Sequence, residues 1–311
     1  MLTGLLRRLG AGLLGVRDEG EGCGGAMEAL EGRVLLAAAV VPIGVLGAGG
    51  WLSHEVSPQQ AIAVKAGSGV NRGDRVVRIP DPSLLSAIRQ ALGKRGGEVT
   101  QAEMLSLREL TANHVHEYAH AIRDVTGLQY ARNLVHLNLN FNLISDVRPL
   151  GGLTNLQSLR LYENKIGDIS SLAGLTRLTA LDLGLNRVGD ITALSGMTKM
   201  RSLNLHANRI ADVSALRGMT RLEKLNLRSN QLSDVSALGG LASLRSLRLA
   251  ANRISDIKAL GQLTHLGDLD LRRNVLDMGA GSGAMSVIKS LEERGVQVWY
   301  EPQRNVSGRR S

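Results

Sequence analysis

The sequence predicts an α/β solenoid, in which short coils of chain stack on one another with a parallel β-sheet on the concave face and short 3₁₀-like helices on the convex face. Three observations lead to this prediction. A 22-residue motif recurs seven times over residues 134–277, each copy contains leucines that alternate with other residues, and apolar helical segments flank the array. Stacked coils bury a continuous core that one copy could not form alone.

The repeated motif has the form L-x-x-L-x-L-x-x-N. Its L-x-L centre has the two-residue period of a β-strand, so the leucines face inward and the residues between them face outward. The asparagine follows at the turn, where its amide is placed to bond backbone groups that would otherwise be buried unpaired. The asparagines of this structural ladder are Asn142, Asn164, Asn186, Asn208, Asn230, Asn252 and Asn274.

An aspartate follows each of the first six asparagines by four residues and precedes a short apolar segment. This is a suitable position for capping a helix. Only about nine residues remain for the outer side of each coil, which is room for a turn or two of 3₁₀ helix. These aspartates are Asp146, Asp168, Asp190, Asp212, Asp234 and Asp256.

Composition excludes several classes of protein. With 43% hydrophobic and 21% charged residues, the chain is not wholly disordered. Cys23 has no partner, so an intramolecular disulfide framework is excluded. Only 2% of residues are aromatic, so the core must be aliphatic. The net charge of +9 is spread along the chain without a dense basic run, so we expect no specific nucleic-acid partner.

The chain before the array predicts export. Residues 1–33 are glycine-rich without a periodic pattern and are expected to form a disordered leader. Residues 34–52 carry no charge and are long enough to cross a bilayer. Pro42 and several glycines favour a signal segment over a permanent transmembrane helix, although cleavage and retention as an anchor both stay open. We therefore predict that the protein contacts a membrane only transiently, through residues 34–52. We also predict that it is extracytoplasmic, either secreted or tethered to the membrane through this segment.

Residues 28–37 contain the letters LEGRVLL. They resemble the short Leu-Glu-x-Arg-x-Leu-Leu tag near the start of exported bacterial surface proteins. The apolar run lies far from Met1 for a conventional signal peptide, so translation starts either at Met1, with a long export tag, or at Met27. Residues 53–78 are predicted to link this segment to the folded domain.

Capping segments are predicted at both ends of the array. Residues 79–106 form a helical N-terminal cap, which enters its first helix through Pro80-Asp81-Pro82 and is followed by an irregular first repeat over 107–133. Residues 278–302 form a C-terminal cap of one helix and one strand, and residues 303–311 form a polar tail. Such units seal the exposed ends of a solenoid core.

These residues identify a leucine-rich-repeat array, and the stretch 79–278 resembles the bacterial internalin-type family. The similarity includes the Pro-Asp start of the cap, the Leu92-Gly93-Lys94 end of its first helix and the segment Gly127-Leu128-Gln129-Tyr130. The resemblance implies a right-handed curved solenoid with a non-enzymatic binding role at the cell surface.

One motif points to an enzyme instead. His116-Glu117-x-x-His120 matches the zinc-peptidase pattern, in which two histidines on one helical face bind zinc and the glutamate activates the bound water. No Glu occurs between Glu117 and Glu163 to supply a third ligand, and the repeat register resumes almost at once. We therefore expect no metal, no cofactor and no catalysis, and keep a zinc metallopeptidase as the alternative.

Binding is predicted on the outward positions of the strands. These positions are mostly polar, with more basic than acidic residues, and interface energy concentrates on tyrosine, tryptophan and arginine. The candidate binding residues are Arg160, Tyr162, His206, Arg228, Arg248 and Arg272. Ordinary solvated surface is the alternative for these positions. The predicted partner is an unidentified protein, with an acidic glycan as a second choice. An intracellular scaffold on the same solenoid is the third functional option.

Overall fold

A computed structural model describes residues 74–113 and 120–304 of the chain. It confirms the predicted solenoid. The predicted leader over 1–33, the apolar segment 34–52, most of the linker 53–78, and residues 305–311 of the tail lie outside the described residues. Within the described part of the chain, no helix has the length and apolar character needed to cross a membrane.

The N-terminal cap contains two helices, α1 (Pro82–Ala91) and α2 (Gln101–Ser106). Helix α1 begins where the Asp81 side chain accepts hydrogen bonds from the backbone N–H groups of Ser83 and Leu84. The other carboxylate oxygen of Asp81 accepts from the N–H of Arg123, at 2.8 Å. One aspartate therefore both starts the helix and fastens the cap to the first coil.

The strands of the described residues form one parallel sheet whose order follows the chain from β1 to β9. Each strand is three residues long, and neighbours from β2 to β8 pair residues that are 22 positions apart, as Leu137 pairs with Leu159. The bounds are β1 Glu109–Thr111, β2 His136–Asn138, β3 Ser158–Arg160, β4 Ala180–Asp182, β5 Ser202–Asn204, β6 Lys224–Asn226, β7 Ser246–Arg248, β8 Asp268–Asp270 and β9 Gln297–Trp299.

Short 3₁₀ helices lie on the opposite side of each coil, and helix α3 (Gly283–Glu293) precedes β9 in the C-terminal cap. The aspartates that were predicted to cap these helices lie one residue before the N-cap position. Each accepts a hydrogen bond from the backbone N–H of the first helical residue. For example, Asp168 Oδ1 accepts from the N–H of Ser170 at 2.8 Å. The described 3₁₀ helices are Leu128–Tyr130, Arg148–Leu150, Ser170–Gly174, Thr192–Leu194, Ser214–Leu216, Ser236–Leu238 and Lys258–Gln262.

The core between the two faces is aliphatic. The inward leucines of successive strands, such as Leu159, Leu181 and Leu203, are fully buried. The register of the sheet pairs Leu159 with Leu181 and Leu181 with Leu203, so these positions stack in a column. Each leucine column therefore extends through the array, while the residues between the leucines line the concave surface.

The asparagine ladder holds the turn after each strand. Asn164 Nδ2 donates to the carbonyl oxygens of Leu161 and Leu139, both at 3.0 Å, and its Oδ1 accepts from the N–H of Ile144. The residue before each asparagine has a positive φ, which is 54° at Glu163. A non-glycine residue in this region is strained by about 1–2 kcal/mol. The amide bonds, repeated in every coil, offset that strain.

Candidate binding surface

The strand register brings the outward residues of neighbouring coils together. In the column formed by the last residue of each strand, Arg160 pairs with Asp182, and Asp182 pairs with Asn204. The next outward column contains Tyr162, His206 and other residues just beyond the strands. The concave face is therefore a set of parallel columns in which side chains 22 residues apart are neighbours.

An aromatic group lies at one part of this face. The rings of Phe141 and Tyr162 meet edge to face, with centroids 5.5 Å apart. The Tyr162 ring lies over Gly184 of the next coil, where an added Cβ would be 2.8 Å from Tyr162 Cδ2 and 3.0 Å from Asn204 Nδ2. A side chain at position 184 would therefore displace the tyrosine ring from its place against this coil.

Asp182 is the buried carboxyl of this group, with only 8% of its surface exposed. Its Oδ1 accepts from the N–H of Gly184 at 3.0 Å and from Asn204 Nδ2 at 2.9 Å. Burial raises the pKa of Asp182 to about 6, although these two bonds and the charge of Arg160 act in the opposite direction. The same neighbourhood raises the pKa of the half-buried Tyr162, through burial and the negative charges of Glu163 and Asp182.

His206 follows in the same column as Tyr162, two coils further on. Its Nδ1 lies 3.1 Å from the carbonyl oxygen of Arg228 and is therefore the protonated nitrogen of the neutral ring. Burial lowers the pKa of His206, and the positive charge of Arg228 adds to this effect. The imidazole is uncharged at neutral pH.

The predicted arginines fall into two groups. Arg160 lies on the coil of Tyr162 and is paired in the sheet with Asp182, whereas Arg228 lies three coils further on, beside His206. Arg248 and Arg272 lie towards the C-terminal end of the sheet. Arg272 forms a two-bond ion pair with the buried Asp270, with Nε and Nη2 each 2.8 Å from an oxygen. This pairing raises the pKa of Arg272, and it holds the guanidinium against its own coil.

Sequence reasoning missed several residues of this surface. The position before the first leucine of each strand also points outward, so His136, Lys224 and Asp268 line the concave face. The two-residue period of a β-strand would have been enough to predict that these residues face outward. Trp299, on the last strand, is 37% exposed and stands beside Asp270 in the sheet.

The zinc-peptidase motif is only partly described. His120 is exposed and belongs to the described residues, whereas His116 and Glu117 lie outside them. Among residues 74–113 and 120–304, no group of three or more His, Cys, Asp or Glu side chains is arranged to hold a metal ion.

Comparisons with known proteins agree with this architecture. The leucine-rich-repeat family model matches residues 198–254, and a two-copy model of the same repeat matches 132–174 and 154–196. No curated protein sequence matches the chain.

Two similar solved structures are internalins from Listeria monocytogenes. The internalin InlF is 31% identical, with 74% of this chain and 72% of that chain covered and a TM-score of 0.58. Internalin C2 is also 31% identical, with 71% of this chain and 93% of that chain covered and a TM-score of 0.63.

Proposed function

The chain belongs to the internalin-type family of bacterial leucine-rich-repeat proteins, and on that basis we propose that it is a non-enzymatic module that recognises another protein through its concave face. The aromatic group around Gly184 carries the proposal. Tyr162 supplies a large ring that is held over Gly184, and Arg160 lies on the same coil, two residues before it. Arg228 lies further along the face, beside His206. Tyrosine and arginine are the residue types that dominate interface energy.

The mixed charge of this face favours a protein partner over an acidic glycan. Asp182 and Asp270 are both buried carboxyls on the concave face, between the predicted arginines. A polyanion laid along the sheet would meet these carboxyls as well as the arginines, and like charges brought together are costly. A protein surface with charges of both signs can complement the arrangement.

A photo-crosslinking experiment tests this proposal. A benzoylphenylalanine is placed at Tyr162, and in a matched variant at the exposed Arg217 on the convex side. Each full-length protein is produced in the native bacterium and irradiated there and in the culture medium. We expect a defined protein adduct from position 162 only, and its loss when Arg160 is also replaced by alanine. Equal adducts from the two positions would contradict recognition through the concave face.

We further propose that the protein acts outside the cytoplasm, exported through residues 34–52. The uncharged run and the resemblance of residues 28–37 to an export tag support this. Mass spectrometry of the protein from envelope and medium fractions measures its N-terminus and location. An intact Met1 in protein confined to the cytosol would refute export and favour an intracellular scaffold.

A further inference from the structure

A second surface lies on the edge of the solenoid where the strands begin, which we call the amino edge. A ladder of backbone bonds fixes its first row: Arg201 N–H donates to Thr179, Glu223 to Arg201 and Arg245 to Glu223, at 2.8–2.9 Å. A second row stands two residues earlier in each coil and includes Arg177, whose Nη1 donates to Asn155 Oδ1. Side chains of successive coils are thus held in line.

Basic residues dominate these two rows over four consecutive coils. We define the amino-edge patch as the exposed side chains of Arg177, Lys199, Arg201, Arg221 and Arg245. The acidic residue within these rows is Glu223, whose carboxylate is 2.7 Å from Arg201 Nη1. No described residue forms an ion pair with Lys199, Arg221 or Arg245. The patch therefore carries a net positive charge.

The opposite edge, where the strands end, also has basic residues, but acidic residues balance their charge there. Lys165, Arg187 and Arg209 occupy equivalent positions on consecutive coils, and each is followed three residues later by an exposed aspartate. Backbone hydrogen bonds hold the pKa of two of these aspartates, Asp168 and Asp190, below its usual range. They are therefore ionised at neutral pH, and positive and negative charges alternate along that edge.

The geometry of the amino-edge patch determines the type of ligand it fits. Neighbouring parallel strands lie about 5 Å apart, so the patch is a line of about 15 Å with positive charge at each step. Arginine binds carboxylate, sulfate and phosphate groups through paired N–H bonds. A linear polymer with an anionic group on successive units complements such a line.

The described residues of the two rows have no aromatic side chains, which favours an acidic polysaccharide over a single-stranded nucleic acid as the polymer bound there. Proteins that bind single-stranded nucleic acids combine a basic groove with aromatic side chains on which bases stack. The described residues of the two rows from Arg177 to Arg245 include no aromatic side chain. A helix or ribbon that enters a duplex groove is also lacking at this edge, which consists of turns and strand starts.

We propose that the amino-edge patch binds a linear acidic polysaccharide, one that carries carboxylate or sulfate groups along its chain. This site is separate from the concave face and goes beyond the protein recognition proposed there. The solenoid thus places a protein-binding face and a glycan-binding edge side by side. Five basic residues that are spread along the sequence form one line of unbalanced positive charge on this edge, because they recur at intervals close to 22 residues.

The test uses the full-length protein and two defined probes, a ten-sugar oligogalacturonate with carboxylates and a heparin decasaccharide with sulfates. The patch variant combines Arg177→Gln, Lys199→Gln and Arg221→Gln. The control variant combines Lys165→Gln, Arg187→Gln and Arg209→Gln, and removes the same charge from the opposite edge. Fluorescence anisotropy measures Kd at physiological salt, and circular dichroism verifies that both variants remain folded.

We expect at least one probe to bind the wild-type protein, with affinity reduced about tenfold or more in the patch variant and less than about threefold in the control. Tyr162→Ala should leave this binding unchanged, which separates the edge from the concave face. Absence of binding to both probes, or equal losses in the two triple variants, would overturn the proposal. Equally tight binding of a 20-base-pair DNA duplex with the same dependence on the patch would overturn the polysaccharide assignment.

Discussion

Replacing Asp182 with asparagine should make the protein more stable at neutral pH, whereas most changes at buried positions destabilise. The asparagine Oδ1 can accept the same bonds, from the N–H of Gly184 and from Asn204 Nδ2. It carries no charge that must be removed from water. The substitution therefore removes a desolvation penalty while it keeps the shape and the hydrogen bonds of the site.

The raised pKa of Asp182 gives the magnitude and the pH range. The pKa rises from 3.8 to about 6 on folding, so the folded state binds this proton more tightly than the unfolded state. The stability that Asp182 contributes is fully present below about pH 4 and is lost as the pH rises through 6. One pKa unit corresponds to about 1.4 kcal/mol, so two units give about 3 kcal/mol.

Urea denaturation followed by circular dichroism measures this effect at several values between about pH 4 and 7.5. The free energies of unfolding of wild type and Asp182→Asn should agree at the acidic end, and the variant should be about 3 kcal/mol more stable at the neutral end. Asp190→Asn is the control, because the pKa of exposed Asp190 is lowered and its substitution should not stabilise. Parallel pH profiles for wild type and Asp182→Asn would show that the carboxyl is not desolvated.

Three further outcomes follow from the contacts. Asn208→Ala should cost about 2–4 kcal/mol in urea denaturation, because it leaves the buried N–H of Val188 unpaired, at about 1–3 kcal/mol, and removes one of the two asparagine bonds to each of the Leu183 and Leu205 carbonyls. Asn226→Ala, which loses one exposed bond, should cost less than about 1.5 kcal/mol. Gly184→Ala should push the Tyr162 ring away from the concave face, and ¹³C NMR titration should show the pKa of that tyrosine falling towards its usual value. Purified protein should contain no stoichiometric zinc, and its peptidase activity should equal that of Glu117→Gln; one zinc per chain with activity that depends on Glu117 would establish the enzyme instead.

The fold could be predicted in large part because its rules are local to each coil. Alternation of leucines around Leu159 and Leu181 specifies the strands, and the 22-residue period specifies how they stack. The backbone conformation of the turns was harder to predict from the sequence. Leu185 and Ala207 adopt positive φ, yet neither residue type signals this conformation. The neighbouring asparagine bonds impose it, so the turn is determined by contacts between coils.

The candidate site was harder to predict for a related reason. The site around Asp182 is assembled from three coils: the ring of Tyr162, from the preceding coil, lies over Gly184, and Asn204, from the following coil, bonds the Asp182 carboxylate. None of these residues is unusual in its own repeat. These residues form a site only when the fold places positions about 22 residues apart side by side. The repeat motif specifies no residue type at these positions, so it gives no signal of the site.

A rigid ladder beneath variable side chains also explains why a glycine matters on this face. The asparagine bonds and strand pairing fix each coil relative to the next, so the backbone cannot shift to accommodate a poorly fitting side chain. A ring can then lie against a neighbouring coil only where that coil has no Cβ, as at Gly184. Tyr162 is therefore held before any partner arrives, which lowers the entropy that binding must overcome. Loss of binding in Gly184→Ala with Tyr162 still present would separate this preorganisation from the mere presence of the ring.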